Sequence, residues 1–303
     1  MTYLMLGNAA DPCCGSVAAA LQSAGRSVRF IDNPLLAPHR FSWRYDSTCS
    51  NSELLFEDGE TLRATDISGV LVRTVAYINR DGWAQEDWNY AQTELRAALL
   101  GWLWSLPCPV VNRFNAELWY RTETHPLQWH NLLARAGLSA LPTLVSNVKE
   151  EAQALARRHD AVYTPLTAYN QYPLRSREDW SGLFTMQRYA PACLTLTHGP
   201  VLLACVVGEE VVWDGPSPDD ALSLEQALVR FARSMGLNFV EVAFAPTCEG
   251  LRVVSVEHQP IFEQFSPRAC TAITGLLVAA LLGEEPVSVA VATSGTPVDV
   301  ASK

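Results

Sequence analysis

The N-terminal part of the chain alternates short apolar runs with segments of helical spacing. One apolar run, Tyr3-Leu4-Met5-Leu6, precedes a loop and a helix that stops at Gly25. A second apolar run follows at once, and a strand–helix–strand unit with so short a first strand is typical of a parallel sheet. The pattern predicts buried strands at 3–6, 27–31, 69–73 and 110–112, a loop at 7–15, a helix at 16–24, and a hairpin around Asp58-Gly59 in an otherwise irregular stretch at 33–66.

The middle of the chain is dominated by helical periodicity. A long amphipathic helix is predicted over 85–106, because six apolar residues recur at intervals of three and four, and Pro107 ends it. That stripe consists of Trp88, Ala91, Leu95, Ala98, Leu99 and Trp102. A second helix is predicted over 126–136, with Pro126 at its start and Gly137 just past its end. A short strand at 143–145 and a helix at 149–159 follow.

The pattern in the C-terminal part predicts an antiparallel sheet covered by helices. Strands are predicted at 184–189, 200–213, 239–244 and 251–257, with turns at Gly199, Gly208 and Glu249-Gly250. Helices are predicted at 222–235, opened by a capping box of Ser223 and Gln226 and closed by Gly236, and at 267–282. The predicted fold class is therefore α/β, with an N-terminal parallel-sheet domain followed by α+β domains that contain an antiparallel sheet.

Length and charge restrict the classes of function. The chain has 303 residues, of which 49% are hydrophobic, so it has material for a substantial core and for one large domain or two. The formal net charge of −10 makes nucleic acid and anionic membranes poor partners. We expect a cytoplasmic protein, because the N-terminus lacks a basic segment and an apolar signal region. The longest apolar stretch, 273–282, is too short to span a bilayer.

Cysteine spacing excludes the familiar cysteine-based sites. The eight cysteines are scattered without a CxxC pair, which rules out zinc ribbons and thioredoxin-like chemistry. We expect most of them to be small buried apolar residues. Cys14, at the start of a predicted helix, is the one candidate for a reactive thiolate.

Glu257 and Gln259 are the polar residues that stand out in the C-terminal part. They follow the apolar run Val253-Val254-Ser255-Val256 and, two positions apart, point to the same side of an extended chain. A strand that emerges into solvent would carry such residues. A cleft that needs oxygen donors would carry them too, and the pattern alone leaves both readings open.

Four strings stand out in order along the chain: VVNRFNAELWYRTETHPLQWHNLLARAGLSALPTLVSN (110–147), TMQRYAP (185–191), GLNFVEVAF (236–244) and RVVSVEHQPIFEQF (252–265). Together they resemble the ATP-grasp superfamily, in the branch of ribosomal-protein glutamate ligases, glutathione synthetase and peptide-modifying macrocyclases. The first string is similar to the entry segment of that branch, the second resembles its hinge strand, and the last two resemble its last two strands. The resemblance covers most of residues 70–283 in order.

The resemblance implies a division of the chain into domains. The N-terminal α/β domain would cover 1–113, a small lid-like subdomain 114–184 and the C-terminal ATP-grasp-like subdomain 185–285. Residues 286–303 would form a mobile tail.

The resemblance also implies a site for ATP and Mg²⁺. Mapped residue by residue, Glu241, Glu257 and Gln259 occupy the positions of the oxygen ligands that hold magnesium against the nucleotide phosphates. The adenine would contact the hinge backbone, and the phosphates would meet two cationic positions. The cofactor-binding residues implied in this way are Gln187, Arg188, Tyr189, His125 and Thr164.

The chain departs from the family at the phosphate-binding positions. His125 and Thr164 stand where the family has lysines, the loop 167–173 (TAYNQYP) has no glycine, and the family's Asp-Arg pair after the hinge is missing. Loss of both cations and of a glycine-rich amide cradle weakens triphosphate binding. Four arginines are candidate replacements for these cations: Arg121, Arg175, Arg177 and Arg188.

Three hypotheses about function follow from these observations. The first is an ATP-dependent carboxylate–amine or carboxylate–thiol ligase that acts on a peptide, an amino acid or another small molecule. The second is an ATP-grasp-fold protein that has lost phosphate handling and serves as an accessory or binding subunit for a peptide or a partner protein. The third is an unrelated α/β protein. A homodimer is compatible with each, and the sequence assigns no catalytic residue.

Overall fold

The computed structural model describes residues 1–38, 40–45, 50–74, 77–113, 126–156, 161–165, 172–196 and 199–284. The N-terminal part contains helices and strands, and strands dominate the C-terminal part. The helices are α1 (Pro12–Ser23), α2 (Gln85–Ser105), α3 (Pro126–Ala136), α4 (Lys149–Ala156), α5 (Arg177–Met186), α6 (Ala221–Ser234) and α7 (Pro267–Leu282). The strands are β1 (Thr2–Leu6), β2 (Ser27–Phe30), β3 (Arg40–Tyr45), β4 (Ser50–Leu55), β5 (Thr61–Arg63), β6 (Ile67–Val72), β7 (Val110–Val111), β8 (Thr143–Ser146), β9 (Ala161–Tyr163), β10 (Tyr172–Leu174), β11 (Ala192–Leu196), β12 (Leu202–Val207), β13 (Glu210–Asp214), β14 (Phe239–Thr247) and β15 (Gly250–Glu257).

The N-terminal sheet is parallel, as predicted. Its strand order is β2-β1-β6-β7, and all three strand pairs run parallel. Alternate residues of β1 enter different cores: Leu4 and Leu6 face one, and Tyr3 and Met5 face the other. This sheet is therefore covered on both sides, as a parallel sheet requires.

The C-terminal sheet is antiparallel, which confirms the predicted fold class. Its order is β13-β12-β14-β15. Helix α7 packs against α1 and β6 of the N-terminal part and against β12 and β13 of this sheet. Both large cores contain residues of the two sheets, for example Leu4 with Val242 and Met5 with Phe239. The parallel and antiparallel sheets are thus joined by continuous apolar packing.

A separate small antiparallel sheet, β10-β9-β11-β8, has its own core. Ala152 of α4 and Leu183 of α5 pack on Leu194 of β11 in this core. The strands β9 and β10 were not predicted from the sequence.

The stretch at 33–66 was predicted to be irregular apart from one hairpin, and this is wrong. It contains a three-stranded antiparallel sheet, β3-β4-β5, in which the predicted hairpin forms β4 and β5. Apolar residues of β3 are supported by the distant helix α2. Phe41 packs edge-on against Trp102, and a Cβ at Gly101 would lie 2.8 Å from the Trp43 ring. These contacts join segments about sixty residues apart along the chain, so local pattern could not reveal them.

The predicted strand at 184–189 is also wrong, because Arg177–Met186 forms the helix α5. Ser176 and Asp179 form a capping box at its start, with Ser176 Oγ accepting from the Asp179 amide at 3.0 Å. Leu183 and its neighbours Trp180 and Phe184 pack into the small core at helical spacing. The strand in this part of the chain is β11, which begins at Ala192.

Two helix starts differ from the prediction. Helix α1 begins at Pro12, within the predicted loop, because the Asp11 carboxylate accepts from the amides of Cys13 and Cys14. Helix α6 begins at Ala221, so Ser223 lies inside its first turn and does not cap it.

Candidate functional site

Glu241 and Glu257 form a cross-strand pair in the C-terminal sheet. They are directly opposite each other in the β14–β15 register, at the start of β14 and at the last residue of β15. Their neighbours Val242 and Val256, also a cross-strand pair, pack toward one core. Since successive residues alternate, both carboxylates project from the other face of the sheet, on the side of Phe239.

The surroundings of the pair disfavour negative charge. Glu241 is 2% exposed, and its Oε2 accepts a hydrogen bond from the Ile261 amide at 2.8 Å. Burial raises the pKa of Glu241 and the carboxylate of Glu257 raises it further, while the Ile261 hydrogen bond and the Arg73 guanidinium lower it. Burial also raises the pKa of Glu257, which is half-buried. Two partly desolvated like charges side by side are the arrangement that a bound cation relieves.

Gln259 lies two residues past the end of β15, in a bend, and is half-buried. Within the described part of the chain it makes no hydrogen bond with either carboxylate. Two carboxylates and an amide are hard oxygen donors, and Mg²⁺ commonly takes one or two carboxylates while phosphates and waters complete its shell. This donor set fits such an ion. The described residues contain no group of three or more His, Cys, Asp or Glu side chains arranged for a metal.

A buried arginine lies on the same side of the sheet as the acid pair, and the sequence did not reveal it. Arg73 follows β6, and its side chain is 9% exposed. Its Nε and Nη2 atoms each lie 3.1 Å from Asp11 Oδ2, while Nη1 is buried with no partner among the described residues. The guanidinium carbon is 5.9 Å from the centre of the Phe239 ring, two residues from Glu241. Its only sequence signal is its position at the carboxyl end of a parallel strand, where ligands of open α/β sheets bind.

Asn112 fixes the position of β14 relative to the N-terminal sheet. Its Oδ1 accepts from the amides of Asn238 and Phe239 at 3.0 and 2.8 Å. Its Nδ2 donates to the carbonyls of Phe239 and His258 at 2.6 and 3.1 Å. One buried amide therefore ties the end of β7 to the strands that carry Glu241 and Glu257. The sequence pattern places Asn112 at the end of a predicted strand in the ATP-grasp-like segment, but it does not predict these hydrogen bonds.

Cys14 does not have the surroundings of a reactive thiolate. It is fully buried, and burial raises its pKa to about 12, with Asp11 adding to the rise and Arg73 opposing it. Cys13 is equally buried, and its pKa is raised for the same main reason. A low-pKa thiolate needs the opposite, an electropositive and partly exposed site.

The predicted cofactor-binding residues lie in the small sheet and its helices. Thr164 directly follows β9 and is buried, with its amide donating to the Cys193 carbonyl at 3.0 Å. Gln187 is the C-cap of α5, and Arg188 and Tyr189 follow it in a turn, both exposed. The predicted contact of 187–189 with adenine assumed a hinge strand, but these residues lie at the end of a helix and in a turn. The contact itself remains a prediction.

Several predicted features lie outside the described residues. These are His125, Arg121, most of the glycine-free loop, Cys49 and the tail after residue 285. Two further candidate replacements for the lysines, Arg175 and Arg177, lie exposed at the start of α5.

No protein-family model and no curated protein matches the chain in sequence. Solved structures do match in fold. The macrocyclase MdnC of Microcystis aeruginosa MRC, solved with its precursor peptide MdnA, matches with a TM-score of 0.71 and 17% identity, over 94% of this chain and 100% of that one.

The chain has the fold of ATP-grasp ligases. The Chryseobacterium gregarium RiPP-associated ATP-grasp ligase, solved with ADP and with leader and core peptides, matches with a TM-score of 0.69 and 16% identity, over 94% and 97% of the two chains. The ATP-grasp ligase PsnB, solved with Mg, ADP and a minimal precursor variant, matches with a TM-score of 0.68 and 19% identity, over 93% and 97%. At such identities the ATP-grasp fold here is a divergent one. Among the described residues, every helix is too short or too polar to cross a bilayer.

Proposed function

We propose that this ATP-grasp-fold chain is an ATP- and Mg²⁺-dependent ligase that joins a peptide carboxylate to an amine or a thiol. The observation that carries the proposal is the cross-strand pair Glu241–Glu257, partly desolvated on one face of the C-terminal sheet. Structures of the same fold that hold ADP, Mg and precursor peptides support the choice of nucleotide and peptide as substrates.

The proposed reaction has two steps, a phosphoryl transfer and an acyl transfer. An oxygen of the substrate carboxylate attacks the γ-phosphorus of ATP, and the bond from that phosphorus to the ADP oxygen breaks, which leaves an acyl phosphate. The amine or thiol then attacks the acyl carbon, the carbon–oxygen bond to phosphate breaks, and the nucleophile releases its proton. Mg²⁺ held by Glu241, Glu257 and Gln259 would offset the negative charge of the phosphates.

The chain's own residues hold this donor set in place. The Ile261 amide fixes one oxygen of Glu241, so that carboxylate keeps one orientation. Asn112 ties the start of β14 to the His258 carbonyl, next to Glu257. Glu241 is shielded from water and Glu257 partly so, and an ionic contact is stronger there than in solvent.

A second candidate function is an accessory protein that uses the same fold for binding alone. Thr164 favours it, because the residue at this predicted phosphate position is uncharged and buried, with its amide already bonded to Cys193. A charge-assisted hydrogen bond contributes about 1.5–3 kcal/mol, so the loss of two lysine contacts weakens nucleotide binding by about 100-fold or more.

Calorimetric titration with ADP, in the presence and absence of Mg²⁺, separates these functions. For the ligase we expect weak binding that requires Mg²⁺ and that is lost in Glu257→Gln, because the variant removes one charge from the donor set. Glu263→Gln is the matched control: the same change at an exposed glutamate nearby should leave binding unchanged.

The other outcomes are equally informative. Absence of ADP binding by the unmodified protein would reject the ligase and support the accessory function. Micromolar or tighter binding without Mg²⁺ would mean that other cations replace the lysines and that the phosphate site is intact.

A further inference from the structure

A small depression lies between the start of α4 and the end of α5, and it shares no residue with the acid pair. It has a volume of about 240 Å³, and Phe184 contributes its ring. The polar residues around it are Asn147, Lys149, Ser181, Thr185, Gln187 and Arg188. This volume is below the ~300–1,000 Å³ of pockets that hold drug-sized ligands, so the occupant would be a small group.

Gln187, one of the residues around this depression, has a buried side-chain acceptor without a partner among the described residues. Its Nε2 donates to the Ser146 carbonyl at 3.0 Å, which fixes the amide group. Its Oε1 is buried and, among the described residues, accepts no hydrogen bond, although the residue is only 3% exposed. A buried carbonyl oxygen of this kind is normally paired, so the site lacks a donor.

Two cations face the same depression. Lys149 begins α4, with its Nζ 5.2 Å from the centre of the Phe184 ring, and Arg188 follows the end of α5. Neither makes an ion pair with the residues that the structure describes. Glu151, in the same turn as Lys149, accepts from Ser146 Oγ. The positive end of the α4 helix dipole adds to the attraction for an anion.

We propose that this depression binds the carboxylate end of a peptide. The terminal carboxylate would lie between Lys149 and Arg188, and the N–H of the last residue would donate to Gln187 Oε1. A neutral N–H fits better than the ammonium group of a free amino acid, because two cations already face the site. The proposal does not depend on the proposed ligase function, since it needs neither nucleotide nor the acid pair. It gives Gln187 and Arg188 a role other than the adenine contact predicted from the sequence.

A series of small probes tests the two halves of the proposal on the full-length protein. N-acetyl-L-alanine carries both the carboxylate and the N–H, acetate carries only the carboxylate, and N-acetyl-L-alanine amide keeps the N–H but lacks the carboxylate. Binding is followed by NMR, through the side-chain amide signal of Gln187. We expect N-acetyl-L-alanine to bind at least about tenfold more tightly than either other probe, because each of them lacks one contact.

Variants place the binding at this depression. Lys149→Met should weaken N-acetyl-L-alanine binding by about tenfold or more, since a charge-assisted contact is lost. Arg135→Met is the matched control, because it removes one exposed positive charge from α3, away from the depression, and should change nothing. Equal binding of acetate and N-acetyl-L-alanine, the absence of saturable binding, or an unchanged affinity in Lys149→Met would each overturn the proposal. The first two outcomes are measured on the unmodified protein, so they do not depend on the folding of a variant.

Discussion

At the scale of single residues, Glu241 and Glu257 are carboxyl groups whose burial disfavours the charged form. Burial raises the pKa of both carboxyl groups above the ordinary value. An acid whose pKa is raised on folding binds its proton more tightly in the folded state. Its contribution to stability is therefore present at pH values below the unfolded pKa and is lost as the pH rises through the folded pKa. The pair thus lowers the stability of the protein at neutral pH.

We predict that Glu241→Gln and Glu257→Gln each raise the free energy of unfolding at neutral pH. The amide removes a desolvated charge and keeps the size of the side chain, and in Glu241→Gln it also keeps an oxygen for the Ile261 amide. The gain should shrink as the pH falls through the raised pKa of the native carboxyl. It should be smallest below about 4.3, the ordinary pKa of glutamate, because the native and the unfolded carboxyls are then both protonated. Urea unfolding between acidic and neutral pH measures it, and Glu263→Gln should show no such trend. A gain that is largest in acid would contradict the assignment.

At the scale of secondary-structure elements, α5 is a helix whose C-terminal end the sequence pattern predicted as a strand. The sequence pattern favoured a strand at 184–189, but the Ser176–Asp179 capping box begins a helix that continues to Met186. Alternating apolar and polar residues at the end of α5 resembled a strand over a few positions. The apolar contacts of Trp180, Leu183 and Phe184 with the small core select the helix instead.

We predict that Ser176→Ala lowers the stability of α5 by about 1 kcal/mol, the usual cost of losing an N-cap hydrogen bond. Hydrogen exchange of the amides at 180–186 measures this as faster exchange. Ser181→Ala, inside the same helix, is the control: because alanine is the better helix former, exchange should be unchanged or slower. If 184–189 were a strand, Ser176 would cap no helix that includes these residues, and Ser176→Ala would not speed the exchange of their amides.

At the scale of the whole molecule, β6 of the parallel sheet approaches α7 closely at Gly69. A Cβ at Gly69 of β6 would lie 2.9 Å from the Leu281 carbonyl oxygen of α7 and 3.0 Å from the Tyr3 ring. Helix α7 packs against both the parallel and the antiparallel sheet, so this contact sets the distance between the N-terminal sheet and the helix.

We predict that Gly69→Ala destabilises the protein by about 1–3 kcal/mol, because the added methyl group meets backbone and a ring that cannot both move away. Gly275→Ala is the matched control, since a Cβ there meets nothing within 4 Å and Gly275 lies inside α7. That substitution should stabilise the protein by about 0.5–1 kcal/mol through helix propensity. Urea unfolding of both variants measures the difference, and equal effects would mean that the sheet and α7 are not in contact at this point.

The sequence by itself determined the elements with long, regular patterns. The helices α2, α6 and α7, the parallel start of the chain and the β14–β15 hairpin were all predicted, because hydrophobic periodicity and bounding Gly or Pro residues act over a few neighbouring positions. The order of these elements, together with several local strings, identified the resemblance to the ATP-grasp fold. The sequence also named Glu241 and Glu257 as oxygen donors, through that resemblance.

Only the tertiary structure decided which distant residues meet. It placed Glu241 opposite Glu257, buried Arg73 against Asp11 across 62 positions, and supported β3 with Trp102. It also buried Cys14, which the sequence left as a candidate thiolate. The physical reason is the same in each case. Strand register, burial and the electric field at a side chain depend on segments that are far apart along the chain, and local periodicity carries no information about them.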